Sequence, residues 1–163
     1  MPEETSAIIK RFQLWAYTGS PLLHDEVLKD TLWEELTLWE ELVSLYLFAE
    51  RYGIQNLQNA IIDMLVAKEQ GSSTITIGKL HLIYDNTPST SPLRRYMVDL
   101  SAQLGRLDLW FTAPEASLGR YPHAFLLELA VEQYNLRKNR SKKHDWKALG
   151  CTYHVHPSTT PAR

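Results

Sequence analysis

The sequence predicts a mostly α-helical protein. Three observations carry that reading. Apolar residues recur at three- and four-residue intervals along much of the chain. Leu42 to Ala60 reads as two amphipathic helices joined by a tight Tyr52-Gly53-Ile54 break. Two helix starts are marked by proline, at Ser91-Pro92 and Tyr121-Pro122. At 163 residues the chain is long enough for one domain and a short appendage. Any strand is expected to be short and near Tyr17-Thr18.

The first helix is expected over 6–16. Ile8, Phe12 and Trp15 share one face, with Ile9 beside them. Thr5 or Ser6 supplies a cap, and Gly19 stops the helix. Residues 20–29 form a connection. Then the hexad Thr31-Leu32-Trp33-Glu34-Glu35-Leu36 is repeated at once as Thr37-Leu38-Trp39-Glu40-Glu41-Leu42. Six residues turn a helix by about 600°, so the two copies cannot present their tryptophans to one stripe. The second copy reads as native helix, and the first as a duplicated insert that lengthens the loop or the helix start. Thr31 or Thr37 caps, with Glu34 or Glu40 three residues on.

A helix over 38–52 puts Leu38, Leu42, Leu45 and Ala49 on one face. The next, over 54–68, turns Leu57, Ile61 and Leu65 inward. A short helix within 76–85 carries Leu80, Ile83 and Tyr84. Residues 86–92 are a turn-rich break ending in a Ser91 cap and Pro92 at the first helical position. The helix from Pro92 buries Leu93, Tyr96 or Met97, Leu100 and Leu104. The helix after Tyr121-Pro122 buries Phe125, Leu126, Leu129 and Leu136. Residues 137–163 lose periodicity, being basic at first and then rich in Pro and Thr.

Three spaced motifs suggest a relationship. They are Trp15-Ala16-Tyr17-Thr18-Gly19 with Leu45 to Ala60, then Tyr84-Asp85-Asn86-Thr87-Pro88 with Ser91-Pro92-Leu93-Arg94-Arg95, then Cys151-Thr152-Tyr153-His154-Val155-His156. In this order the chain resembles the C-terminal half of a BTB/POZ domain and its helical extension, as found in fungal BTB-domain proteins. The resemblance divides the chain into a BTB/POZ-like half over 1–70, a helical extension over 71–136 and a tail over 137–163. The family's first half, with its Phe-x-Val-His-Lys segment, is not found, so a truncated paralogue or a late-starting gene model is expected. The resemblance implies a non-enzymatic adaptor that binds a protein partner, such as another BTB chain, in ubiquitin-ligase assembly or transcriptional regulation. In the family, cullin contact uses a glutamate before the Tyr-Thr turn. Leu14 stands at that position here, so the cullin role does not carry over.

No residue cluster points to catalysis, and neither a catalytic nor a cofactor-binding residue is assigned. There is no phosphate-binding glycine loop and no nucleophile elbow. Glu34-Glu35 and Glu40-Glu41 read as solvated helix faces rather than an acid/base pair. Cys151, His154 and His156, with His144, are ligand-type side chains, but the spacing fits tetrahedral zinc poorly. The plainer reading is an extended segment that packs Tyr153 and Val155 inward with its histidines outward, so no metal is assigned. Arg137, Lys138, Arg140, Lys142, Lys143 and Lys147 form a basic run. Nothing aromatic is interleaved with it, which favours a solvated connector over a nucleic-acid patch. The two rivals to the adaptor are therefore a nuclear nucleic-acid-associated factor acting through 137–147 and a zinc-binding protein acting through the tail.

The expected interaction residues are Trp15, Tyr17, Trp39, Tyr46 and Tyr52, since aromatics are favoured interface anchors. A formal net charge of -2 argues against binding nucleic acid with the whole chain. No apolar run reaches the 18 residues that would suggest a membrane span. The single cysteine fits a reducing compartment, and no basic-then-apolar leader opens the chain. The expectation is an intracellular protein, cytoplasmic or nuclear.

Overall fold

A computed structural model describes residues 6–22, 32–69, 80–104, 121–138 and 152–156, without the side chains of 32–37, 68, 69 and 104. The described residues are mostly helical: α1 Ser6–Thr18, α2 Leu32–Arg51, α3 Gln55–Glu69, α4 Leu80–Asn86, α5 Pro92–Leu104 and α6 His123–Lys138. No strand occurs among them. Tyr17 and Thr18, expected near a strand, are the last two residues of α1.

The long helix α2 is central, with α1, α3 and α4 all packed on it. The seven-residue α4 also touches α5 and α6, which pair with each other, so it joins the two halves of the core. Leu38, Leu42, Leu45 and Ala49 are buried as their spacing predicts, and so are Leu57, Ile61 and Leu65 on α3. On α5, Leu93, Tyr96, Met97 and Leu100 are all buried. Phe125 and Leu129 anchor α6, with Leu126 and Leu136 only partly buried. Tyr84 meets Phe125 edge-on, with centroids 5.9 Å apart, where α4 crosses α6.

The helix α2 starts earlier than the repeat suggested. Its backbone is continuous from Leu32, so Thr37 lies inside the helix and is not its cap. The first hexad, from its second residue on, extends the helix rather than a loop. Leucine and glutamate are good helix formers, and neither Gly nor Pro interrupts the run.

Two glycines end helices by different means. At the end of α1, Gly19 has φ +74° and its N–H donates to Trp15 O at 2.8 Å, the single-bond left-handed cap. At the end of α2, Gly53 has φ +66°, its N–H donates to Glu50 O at 3.2 Å, and Ile54 N–H donates to Ala49 O at 2.8 Å. That pair of bonds is a Schellman motif. It turns the chain at once into α3, with Ile54 laid against the core.

The end of α4 uses side chains instead of glycine. Asn86 Nδ2 donates to Leu82 O at 2.8 Å, and Thr87 Oγ1 donates to Ile83 O at 2.7 Å. Arg94 Nη2 reaches back from α5 to Tyr84 O at 2.5 Å and also donates to Thr87 O. Its Nε donates to Thr87 Oγ1 at 2.8 Å, and its guanidinium carbon lies 4.4 Å from the centre of the Tyr84 ring. Carbonyls at the end of α4 that a helix leaves open are thus met by three side chains, one of them a cation at the negative end of the helix dipole. Pro88 explains the stop, because the residue before a proline avoids helical geometry.

Candidate interaction surface

The sequence singled out five aromatics, and the structure separates them. Trp39 and Tyr46 are core residues, 3% and 0% exposed, and are corrected as surface anchors. The reason is that α1, α3 and α4 all pack on α2, so the sides that carry Trp39 and Tyr46 are covered. Trp15 is partly buried, whereas Tyr52 is 58% exposed and Tyr17 is 90% exposed.

Trp15 and Tyr52 are the ends of one aromatic row. Phe12 and Trp15 lie one turn apart on α1, with ring centroids 6.0 Å apart. Phe12 meets Phe48 of α2 at 5.4 Å, and Phe48 meets Tyr52 at 4.7 Å. All three contacts are tilted, a geometry that avoids stacking the negative ring faces directly. Phe12, Trp15 and Phe48 are partly buried, and the row becomes exposed at Tyr52, just past the end of α2. Ile9 is a further exposed apolar side chain on α1.

Polar contacts fix α1 in place. Arg11 Nε donates to Glu41 Oε2 at 2.6 Å, and its Nη1 donates to Pro21 O at 3.2 Å. Glu41, read from sequence as part of a solvated carboxylate pair, is instead the ion-pair partner that holds α1 to α2. Thr18 Oγ1 lies 2.7 Å from Leu14 O, which ties down the last turn beside Tyr17. The row is therefore carried on anchored helices, and Tyr17 projects from one of them.

A second surface feature lies between α5 and α6. A groove of about 520 Å³ is lined by Arg94, Arg95, Asp99, Glu128, Glu132, Val98 and others. Ionisable groups converge there, but several of them are already engaged. Glu128 accepts the Tyr84 hydroxyl, and Arg94 caps α4. Asp99 accepts the Tyr153 hydroxyl at 2.8 Å and lies 3.8 Å from Arg95 Nε. Burial, and then Glu128, push the Tyr84 phenol well above its usual range. Burial and then Asp99 do the same for Tyr153. Both phenols therefore stay protonated as donors and do not act as bases near neutral pH.

A third polar group is buried where α2 meets the start of α5. The Tyr46 hydroxyl, Glu50 Oε2 and the Ser91 hydroxyl are buried near one another without a hydrogen-bond partner. Burial raises Tyr46 to about 12 and raises Glu50 above the ordinary carboxylate value. Sequence reasoning missed Glu50 because nothing in its spacing signals a neighbour 41 residues away.

The tail segment makes a turn at residues 152 and 153 and has no regular secondary structure at 154–156. Tyr153 points inward as expected and is 1% exposed. Of the two histidines expected outward, His156 is exposed, but His154 is half-buried with Nε2 2.8 Å from Asp63 Oδ1 of α3. No group of three or more His, Cys, Asp or Glu placed to hold a metal occurs among the described residues. Cys151, His144 and the basic residues beyond Lys138 lie outside the described residues. None of the described helices is long and apolar enough to cross a membrane. No family model, curated protein or solved structure matches this chain.

Proposed function

We propose that this chain is a non-enzymatic protein–protein interaction module, of the BTB-like adaptor type its motifs resemble. The observation that supports it most is the aromatic row Trp15–Phe12–Phe48–Tyr52, which ends in the exposed Tyr52; Tyr17, 90% exposed, projects from another face of the same helix as Trp15. A tyrosine held on an anchored helix has little rotamer entropy to lose on binding and much apolar area to bury. The partner is a protein with a complementary apolar patch, such as another BTB chain. Leu14 in place of the family's glutamate argues against a cullin as that partner.

The test is a double variant, Tyr17→Ser with Tyr52→Ser. Tyr17 is almost wholly exposed, so its change should alter stability by less than about 0.5 kcal/mol, and Tyr52, which loses its ring contact with Phe48, should cost about 0.5–1.5 kcal/mol. Association, whether with itself or with a complete BTB domain, should weaken at least tenfold in sedimentation velocity. The reading fails if the wild-type chain stays monomeric and both proteins capture the same partners with equal yield.

A further inference from the structure

The tail segment is held as a bound peptide is held. Asn59 of α3 makes both backbone bonds to Val155: Nδ2 donates to Val155 O at 3.1 Å, and Val155 N–H donates to Asn59 Oδ1 at 2.7 Å. A side-chain amide thereby stands in for a neighbouring strand, which is how extended peptides are gripped without reference to sequence. Sequence is read by the flanking positions. Tyr153 is buried edge-on against Tyr96, with centroids 5.5 Å apart, and its hydroxyl donates to Asp99 of α5 at 2.8 Å. His154 meets Asp63. The described segment contains no helix of its own, and these contacts are all made to α3 and α5.

We propose that the surface formed by Asn59, Asp63, Tyr96 and Asp99 is a receptor for a Tyr-His-Val segment, and that it exchanges its own tail for the tail of a second copy of this chain. The complementarity points to that occupant, because an identical segment from another copy makes identical contacts. Residues 139–151 join Lys138 to the tail, and a chain of that length spans at most about 45 Å. Exchange of an identical element is a low-cost route to a dimer. Because the tail is covalently joined to its own receptor, a second copy's tail competes with an intramolecular contact. The self-docked form therefore dominates in dilute solution, and exchange appears where copies are crowded. The proposal uses no residue of the aromatic row, so either can fail without the other.

Complementation tests it. Full-length Tyr153→Ala has a receptor but no anchor, and full-length Asn59→Ala with Asp99→Asn has an anchor but a broken receptor. Mixed, they should form a 1:1 complex in sedimentation velocity, with at least tenfold more dimer than either alone. Two cooperatively unfolding variants that stay monomeric when mixed would overturn the proposal. Where a variant does not fold, a wild-type chain carrying a protease site within 139–147 is cut after folding. The freed tail should then exchange with a labelled peptide of residues 148–158, and not with the same peptide carrying Tyr153→Ala. No exchange, or equal uptake of both peptides, overturns it.

Discussion

Around α2 the side chains that touch are mostly aliphatic and aromatic, with the Arg11–Glu41 ion pair toward α1, and glycines close the ends of α1 and α2. Around the junction of α4 and α5 they are Arg94, Thr87, Tyr84, Asp99 and Tyr153, each joined by a directed hydrogen bond to a partner up to 54 residues away. The first arrangement is tolerant, because apolar contacts accept many shapes. The second is exacting, because a fork of N–H donors must meet fixed carbonyls. Tyr84, Thr87, Pro88, Arg94 and Tyr153 thus have a structural reason for their spacing that is independent of any partner. Their spacing records the wiring of the fold, whereas the interaction proposal rests on aromatics that such wiring does not require.

The comparison can be broken most strongly in the apolar half. Leu42 is fully buried, and Leu42→Ala should cost about 3 kcal/mol in denaturant unfolding, with a cavity left behind. In the polar half, Arg94→Ala should cost about 2.5 kcal/mol, since it leaves the carbonyls of Tyr84 and Thr87 without their donor. Arg94→Lys should restore less than half of that, because an ammonium cannot span the same three acceptor atoms. Leu42→Met, by contrast, should cost under about 1.5 kcal/mol. If the two conservative variants behave alike, the contrast between tolerant and exacting packing is wrong.

Tyr153→Phe gives a finer test. It keeps the ring on Tyr96 and removes only the hydroxyl from buried Asp99. A loss of about 1.5 kcal/mol is expected by the same unfolding measurement, and no loss would mean that the ring alone secures the tail.

The smallest effect concerns pH. Glu50 titrates above its ordinary value of 4.5 in the folded state, chiefly because it is buried. Between that value and the raised one, the folded protein binds more protons than the unfolded chain. Stability from this group is therefore present in acid and lost as pH rises through the folded value. Glu50→Gln should remove that component. Thermal unfolding across the range from pH 4 to 7, read against wild type, should show a flatter slope for the variant. An unchanged slope would show that Glu50 is solvated in the folded state.

The helices were largely legible because each carries its apolar residues at helical spacing and its own punctuation. Gly19, Gly53 and Pro92 mark ends that local chemistry decides. What could not be read depended on neighbours. Trp39 and Tyr46 look like anchors on an isolated amphipathic helix, and only the packing of other helices onto α2 makes them core. Thr37 has the features of a cap, yet the helix-forming residues before it carry α2 further back. Tyr17 and Thr18 favour strands by type, but the Gly19 cap keeps them helical. Of the candidate surface, Trp15, Tyr17 and Tyr52 were found as aromatics near helix ends. Their alignment through Phe12 and Phe48 required knowing that α1 lies on α2.

A helix of seven residues, such as α4, does not hold itself together in water. Its persistence is lent by the guanidinium that arrives from the following helix. Breathing of α5's first turn should therefore unravel α4 along with it, and both should exchange their amide hydrogens as one unit. The bridge between the two halves of this molecule is then also its least independent part.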